Sequence, residues 1–236
     1  MKYYILQFKF LTPVHFGTAE NKKSGNLQSF NCCADTFFSA LVTETAALDG
    51  ELCSWFIEAV QKGGLLFSDF LPYYSGAEEE LYVPVPYNCK EKVNPLDLQL
   101  SFKELCLQYE ALRDHENMAY IRVSGIYDYL HPYESTAKEQ EKHDFGWSGV
   151  QRRLDFRNGG RAYYVSNYTF AEGAGLYCIV GLDDGTLLEG LVKAVELLGL
   201  GGIGGRGGFW RIGPPQRLWQ ICVKRRSAAF KQRLRR

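Results

Sequence analysis

Residues 175–213 read GLYCIVGLDDGTLLEGLVKAVELLGLGGIGGRGGFWRIG. Gly175 to Leu182 reads as a strand, with Cys178 in the apolar surroundings Leu176-Tyr177-Cys178-Ile179-Val180. Asp183-Asp184-Gly185-Thr186 supplies a turn and a helix cap, and Leu187 to Leu198 then repeats apolar residues at helical spacing. The glycine run that follows leads to a strand over Phe209 to Ile212 and, past Pro214-Pro215, to another over Arg217 to Val223. Upstream, Gly160 to Phe170 reads as a strand, and the turn Glu172-Gly173-Ala174-Gly175 predicts that it forms a hairpin with the apolar run.

Working outward, the N-terminal part shows a similar order. Lys2 to Leu11 places Tyr4, Leu6, Phe8 and Phe10 on one side and Gln7 and Lys9 on the other, the alternation of a strand closed by Pro13. Asp35 is expected to cap a helix running to Leu48, with Phe37, Phe38, Leu41, Val42 and Thr45 on one face. A second helix is expected over Leu52 to Gln61, then short strands over Leu65 to Ser68 and Leu81 to Pro86, the latter an edge because of its prolines. Residues 88–118 are ambiguous beyond a helix over Phe102 to Arg113; Tyr120 to Ile126 suits a strand, and Tyr127 to Trp147 reads as an insertion without apolar period. Strand-helix-strand near the start and strand-strand-helix-strand near the end predict an α+β fold of two ferredoxin-like (RRM-like) units with a glycine-rich loop near the C-terminus. The expected domains are 1–149, carrying the insertions, and 150–236, carrying the glycine loop and a basic tail.

From Gly199 to Gly213, eight of fifteen residues are glycine. Glycine packs nothing, so such a run is useful where the chain needs positive φ or where a ligand approaches the main chain. Arg206 and Arg211 bracket Phe209-Trp210, which brings bare amides, guanidinium groups and flat rings together in a mixture suited to a sugar-phosphate backbone. The match Gly199-x-Gly201-x-x-Gly204 is not a dinucleotide fingerprint, because it follows a helix and enters a strand instead of the reverse. A purely structural turn is the alternative.

The formal net charge is zero, yet Gly199 to Arg236 holds ten Lys and Arg and no acid, leaving residues 1–198 at −10. Two regions so different in charge face different partners. Seven cysteines without a Cys-x-x-Cys pair argue against a structural zinc site or a disulfide framework, and suit a reducing, cytoplasmic setting. The N-terminus has no leader pattern, and no stretch approaches the ~20 apolar residues of a membrane span. No metal or other cofactor is expected. Hydrophobic content of 46% provides ample core.

A second basic segment, Val150 to Arg161, contains Arg152, Arg153, Arg157 and Arg161, which suit bidentate phosphate contacts. Tyr163 and Tyr164 follow on alternate faces of a strand, so one of them can stack a base; Tyr163 is the candidate. The rival reading is a solvated hairpin.

Taken together, the strand followed by Pro13-Val14-His15-Phe16-Gly17, the helix start Asp35-Thr36-Phe37-Phe38-Ser39-Ala40-Leu41, the segment Ala174-Gly175-Leu176-Tyr177 and the glycine loop resemble the RAMP superfamily of CRISPR effector subunits. The helix start is nearest the fourth-subunit, Cas-five-like group of the type III-A Csm complex. The resemblance covers most of the chain and implies a subunit that binds the 5′ repeat-derived tag of a CRISPR RNA, caps the backbone filament and contacts the large Cas-ten-type subunit, without being a nuclease. RNA contacts are expected at His15, Phe16, Gly17, Arg152, Arg153, Arg157, Arg161 and Tyr163. In the loop they are expected at Gly201, Gly202, Gly204, Gly205, Arg206, Gly207, Phe209 and Arg211. Partners would be the CRISPR RNA, the large subunit and the Csm backbone subunit, in a hetero-oligomer without a membrane. No catalytic residue is expected. The alternative is a metal-independent CRISPR RNA-processing endoribonuclease using His15 as general base; a third is a protein-only interaction module.

Overall fold

A computed structural model of the protein describes residues 1–15, 32–86, 101–130, 144–155, 159–185, 187–201 and 218–221. By contact the chain divides into two units, residues 1–70 with 146–236, and 71–145. The boundary expected at residues 149 and 150 falls inside a strand of the first.

The first unit is built around β1 (Lys2–Phe8) and β8 (Ala174–Leu182), paired antiparallel from Lys2 opposite Leu182 to Phe8 opposite Leu176. On the far side of β1 lies β9 (Leu218–Ile221); on the far side of β8 lies β2 (Leu65–Phe67). Eight of the nine residues of β8 are buried, as its unbroken apolar sequence requires of a strand covered on both faces. The helices α1 (Ala34–Leu48) and α2 (Gly50–Gln61) connect β1 to β2, and α5 (Leu187–Gly201) connects β8 to β9. The order β2–β8–β1–β9, all antiparallel, makes one β-α-β-β-α-β unit from the two ends of the chain. The fold is α+β as expected, but the described residues do not form two ferredoxin-like units, one in each half.

The core of this unit is aromatic. Phe37 of α1 is fully buried and meets Phe8, Phe67 and Phe70 at ring-centroid distances of 5.6, 5.6 and 4.9 Å, all edge-on. Leu41 and Thr45 continue that face one and two turns on, and Leu191, Ala194, Val195 and Leu198 form the buried face of α5. The cap of α1 differs from expectation. Its N-cap residue is Cys33, whose side chain makes no capping bond; Asp35 lies inside the first turn, its carboxylate accepting from the Thr36 amide at 2.7 Å. Asp69 does the capping from 35 residues away, accepting from the Ala34 amide at 2.8 Å. Asp49, by contrast, ends α1 and caps α2 by accepting from the Leu52 amide.

The second unit contains the antiparallel meander β3 (Leu71–Ser75), β4 (Glu79–Pro84), β5 (Tyr120–Arg122), with α3 (Phe102–Asn117) and the short α4 (Ile126–Leu130). Here β4 is the middle strand, not an edge. Its prolines are tolerated because Pro84 occupies the last rung and Pro86 lies beyond it. Arg122 pairs with Glu80 at 2.9 Å and the Tyr82 hydroxyl donates to the same carboxylate at 3.0 Å.

Burial lifts several proton-releasing side chains above their ordinary range. Cys32 is pushed up to about 12, as are Tyr73 and Tyr82, and Cys178 is raised further, in each case chiefly by desolvation. The folded state thus keeps protons that the unfolded chain releases from about pH 9 upward, so stability is held below that pH and lost above it. At pH 10, about one unit past the unfolded thiol value, Cys32 and Cys178 together are expected to cost about 3 kcal/mol. Urea titrations at pH 8 and pH 10 check this; equal midpoints would refute it. No helix among the described residues is long and apolar enough to cross a membrane.

Candidate nucleic-acid interface

The chain between β2 and β8 includes a two-stranded sheet of β6 (Gly146–Asp155) and β7 (Arg161–Phe170), in register from Gly146 opposite Phe170 to Asp155 opposite Arg161. This corrects the expected hairpin: β7 pairs with β6, while β8 belongs to the main sheet. The root of the arm is packed. Phe10 stacks on Phe170 with centroids 4.6 Å apart, Tyr168 lies edge-on to Phe170 at 5.1 Å, and all three rings are buried. Val14, also buried, exchanges two backbone bonds of 2.8 Å with Tyr168. The segment after β1 is thereby tied to β7 as a short third rung.

Glycines mark both ends. Gly146 has φ of +154°, and a Cβ there would lie 2.0 Å from the Thr169 carbonyl oxygen. Gly159 and Gly160, at φ of +71° and +76°, turn the chain into β7 through the left-handed region open to glycine.

Between root and turn the arm is open. Val150 and Tyr164 are 72% and 71% exposed, and Arg152 and Leu154 are exposed with them. Arg152 stands directly opposite Tyr164, and Arg153 opposite Tyr163 on the next rung. Directly opposed residues share a face with Cβ atoms about 5 Å apart. One rung therefore offers a guanidinium for a phosphate and a phenol ring for a base, the pairing that single-stranded nucleic acid sites use. Tyr164, not singled out from sequence, is the ring whose exposure the structure establishes. The signal was present in the alternation that assigned the two tyrosines to opposite faces, but not which face was open.

His15 is half-buried beside this arm. Its Nδ1 donates to the Ser166 carbonyl oxygen at 2.7 Å, and Ser166 is the rung partner of Val150. With the proton on Nδ1, Nε2 carries a lone pair suited to accept from a ribose hydroxyl. Among the described residues the partner of Nδ1 is this carbonyl oxygen, and no carboxylate bonds His15.

The structure thus brings His15, Arg152, Arg153, Arg161 and Tyr163 to one two-stranded element. Gly201 closes α5, which runs three residues past the expected end, so Gly199 to Gly201 are helical and not part of a loop. Phe16, Gly17, Arg157, Gly202, Gly204, Gly205, Arg206, Gly207, Phe209 and Arg211 lie outside the described residues. No cluster of three or more His, Cys, Asp or Glu able to hold a metal occurs among the described residues.

No family model matches the sequence, and no curated protein matches it. Solved structures do. A chain in the crystal structure of a Csm1–Csm4 cassette in complex with pppApA aligns at a TM-score of 0.59 and 16% identity, covering 94% of this chain and 70% of that chain. The cassette in complex with AMPPNP gives 0.58 at 17% identity, with 94% and 71% covered, and with cA4 0.56 at 17%, with 94% and 70% covered. By fold, then, the chain is similar to a chain of these Csm1–Csm4 cassettes. More narrowly, it resembles Csm4.

Proposed function

We propose that the chain is a non-catalytic CRISPR RNA-binding subunit of a type III-A (Csm) interference complex. In this reading it holds the 5′ repeat-derived tag and bridges a Csm1-type large subunit to the Csm backbone. The observation that carries the reading is the open rung of Arg152 and Tyr164, set beside His15 on an arm rooted in the packed sheet of a Csm4-like fold.

The arm supplies what a single strand needs: Arg152 takes a phosphate, Tyr164 stacks a base, and His15 Nε2 accepts from a 2′-hydroxyl. Rigid seating of the root by Phe10, Val14 and Phe170 fixes where these groups stand before RNA arrives. The glycine run with Arg206 and Arg211 adds backbone amides and further positive charge to the same task. The large deficit of acid beyond Gly199 favours an RNA partner there, while the acidic remainder favours contact with protein.

Expressing the chain with the other Csm subunits and sequencing the RNA that copurifies tests the proposal. The expected result is a population sharing one 5′ tag, left intact when repeat RNA is incubated with the purified chain in EDTA. Random RNA would overturn tag recognition. A single cut in EDTA, lost in His15→Ala, would replace the reading with the endoribonuclease.

A further inference from the structure

The two faces of the arm differ at its root. Tyr168 and Phe170, opposite Ser148 and Gly146, are buried on the face that also carries Arg152 and Tyr164 further out. The other face carries Trp147, which is 60% exposed although a tryptophan has more apolar area to bury than any other side chain. Trp147 stands opposite Thr169, and the next rung on that face pairs Gly149 with Asn167. A Cβ on Gly149 would lie 2.8 Å from Asn167 Oδ1, so the glycine leaves the space into which the Asn167 amide leans across the ladder. Among the described residues that amide has no hydrogen-bond partner. Trp147 and Asn167 are diagonal neighbours, a relation that sets Cβ atoms about 7 Å apart and within reach of an aromatic side chain. A base laid flat on the indole brings its edge to the amide.

We propose that Trp147 and Asn167 form a base-recognition subsite for adenine, on the face of the arm opposite Arg152 and Tyr164. The inference rests on the RNA-binding function proposed above and adds to it a base preference. Trp147, Thr169, Gly149 and Asn167 carry no charge, so this patch takes a base and leaves phosphates to the arginines. The indole accepts the flat face of any base. Selection falls to Asn167. An asparagine amide donates and accepts at once, which matches the N6 amino group and N7 acceptor of adenine. A guanidinium in that place would suit guanine and a carboxylate cytosine, so the residue type names the base. Gly149 belongs to the subsite because any side chain there would displace the amide.

Fluorescence anisotropy of the full-length chain with labelled single-stranded RNA octamers of adenosine and of cytidine is the test, read as the ratio of the two affinities. The unmodified chain is expected to favour the adenosine octamer about tenfold. Asn167→Ala should erase that preference without weakening the cytidine octamer, and Gly149→Ala should do the same. Trp147→Ala should weaken both octamers about tenfold or more, and should abolish the quenching of 2-aminopurine placed in the adenosine octamer. All three variants should keep the salt dependence of binding, since no phosphate contact is lost. If the chain binds RNA and Asn167→Ala keeps the same ratio, the inference is wrong while the proposed function stands. If Trp147→Ala leaves both affinities unchanged, the indole meets protein instead of a base, and the inference is again overturned. If the unmodified chain binds neither octamer at low salt, RNA binding itself fails and the inference with it.

Discussion

Replacing Gly146 with alanine is expected to destabilise the first unit by about 4 kcal/mol. Two separate costs add. A residue with a side chain at φ of +154° is strained by about 1–3 kcal/mol. The new Cβ would also meet the Thr169 carbonyl oxygen at 2.0 Å and the Phe170 Cα at 2.9 Å, both backbone atoms that move only by opening the ladder, an overpacking cost of about 1–3 kcal/mol. The displaced strand carries Phe170, so the stack on Phe10 loosens with it. For a unit of this size the melting temperature should fall by about 10 °C. Hydrogen exchange should show the loss of protection concentrated in β6 and β7. A melting temperature within 2 °C of the parent would show that Gly146 tolerates a side chain and that the root is not rigid. Gly159→Ala, where a Cβ meets nothing within 4 Å, isolates the cost of φ alone and should be milder.

Reversing two charges on the arm, Arg152→Glu with Arg153→Glu, is expected to weaken RNA binding about 100-fold at low salt. A guanidinium on a phosphate is worth about 1.5–3 kcal/mol, and the introduced carboxylates repel the same strand. The dependence of affinity on salt should become shallower, by about 1.4 in the logarithmic slope, since about 0.7 of a counterion is released per contact to a single strand. Tyr164→Ala separates stacking from charge: it should weaken binding about tenfold or more with no change in that slope. Arg152 and Tyr164 are exposed, so melting temperature should not move. Unchanged RNA affinity at low salt in the double variant would remove the arm from the interface.

What could be read from the sequence divides along physical lines. β1 announced itself because Tyr4, Leu6 and Phe8 alternate against a real core, and β8 because both of its faces are buried. β6 carried no such mark. Trp147 and Val150, exposed on a two-stranded arm, have no core to face, so the period-two pattern that burial imposes is missing. The partner of β7 was misread because a short connection, residues 171–173, suggests pairing with the next strand, whereas Val14 and Phe10 hold β7 from the other end of the chain. Asp69 capping α1 was illegible for the same reason, since nothing local links it to Ala34. Of the candidate site, the arginines and one of two tyrosines were visible as chemistry; that they lie on one ladder beside His15 depends on long-range pairing.

Strands β1 and β8 meet with Lys2 opposite Leu182, and β9 completes the other side of β1 with residues 218–221. During synthesis at roughly 5–20 residues per second, β1 thus waits about ten to forty seconds for its neighbours. Residues 71–145, continuous in sequence, leave the ribosome well before then. The nascent N-terminal strand, with Leu6 and Phe8 unshielded for that interval, is a natural client for chaperones, and slow codons or a premature stop before residue 218 would leave it without its lateral mate.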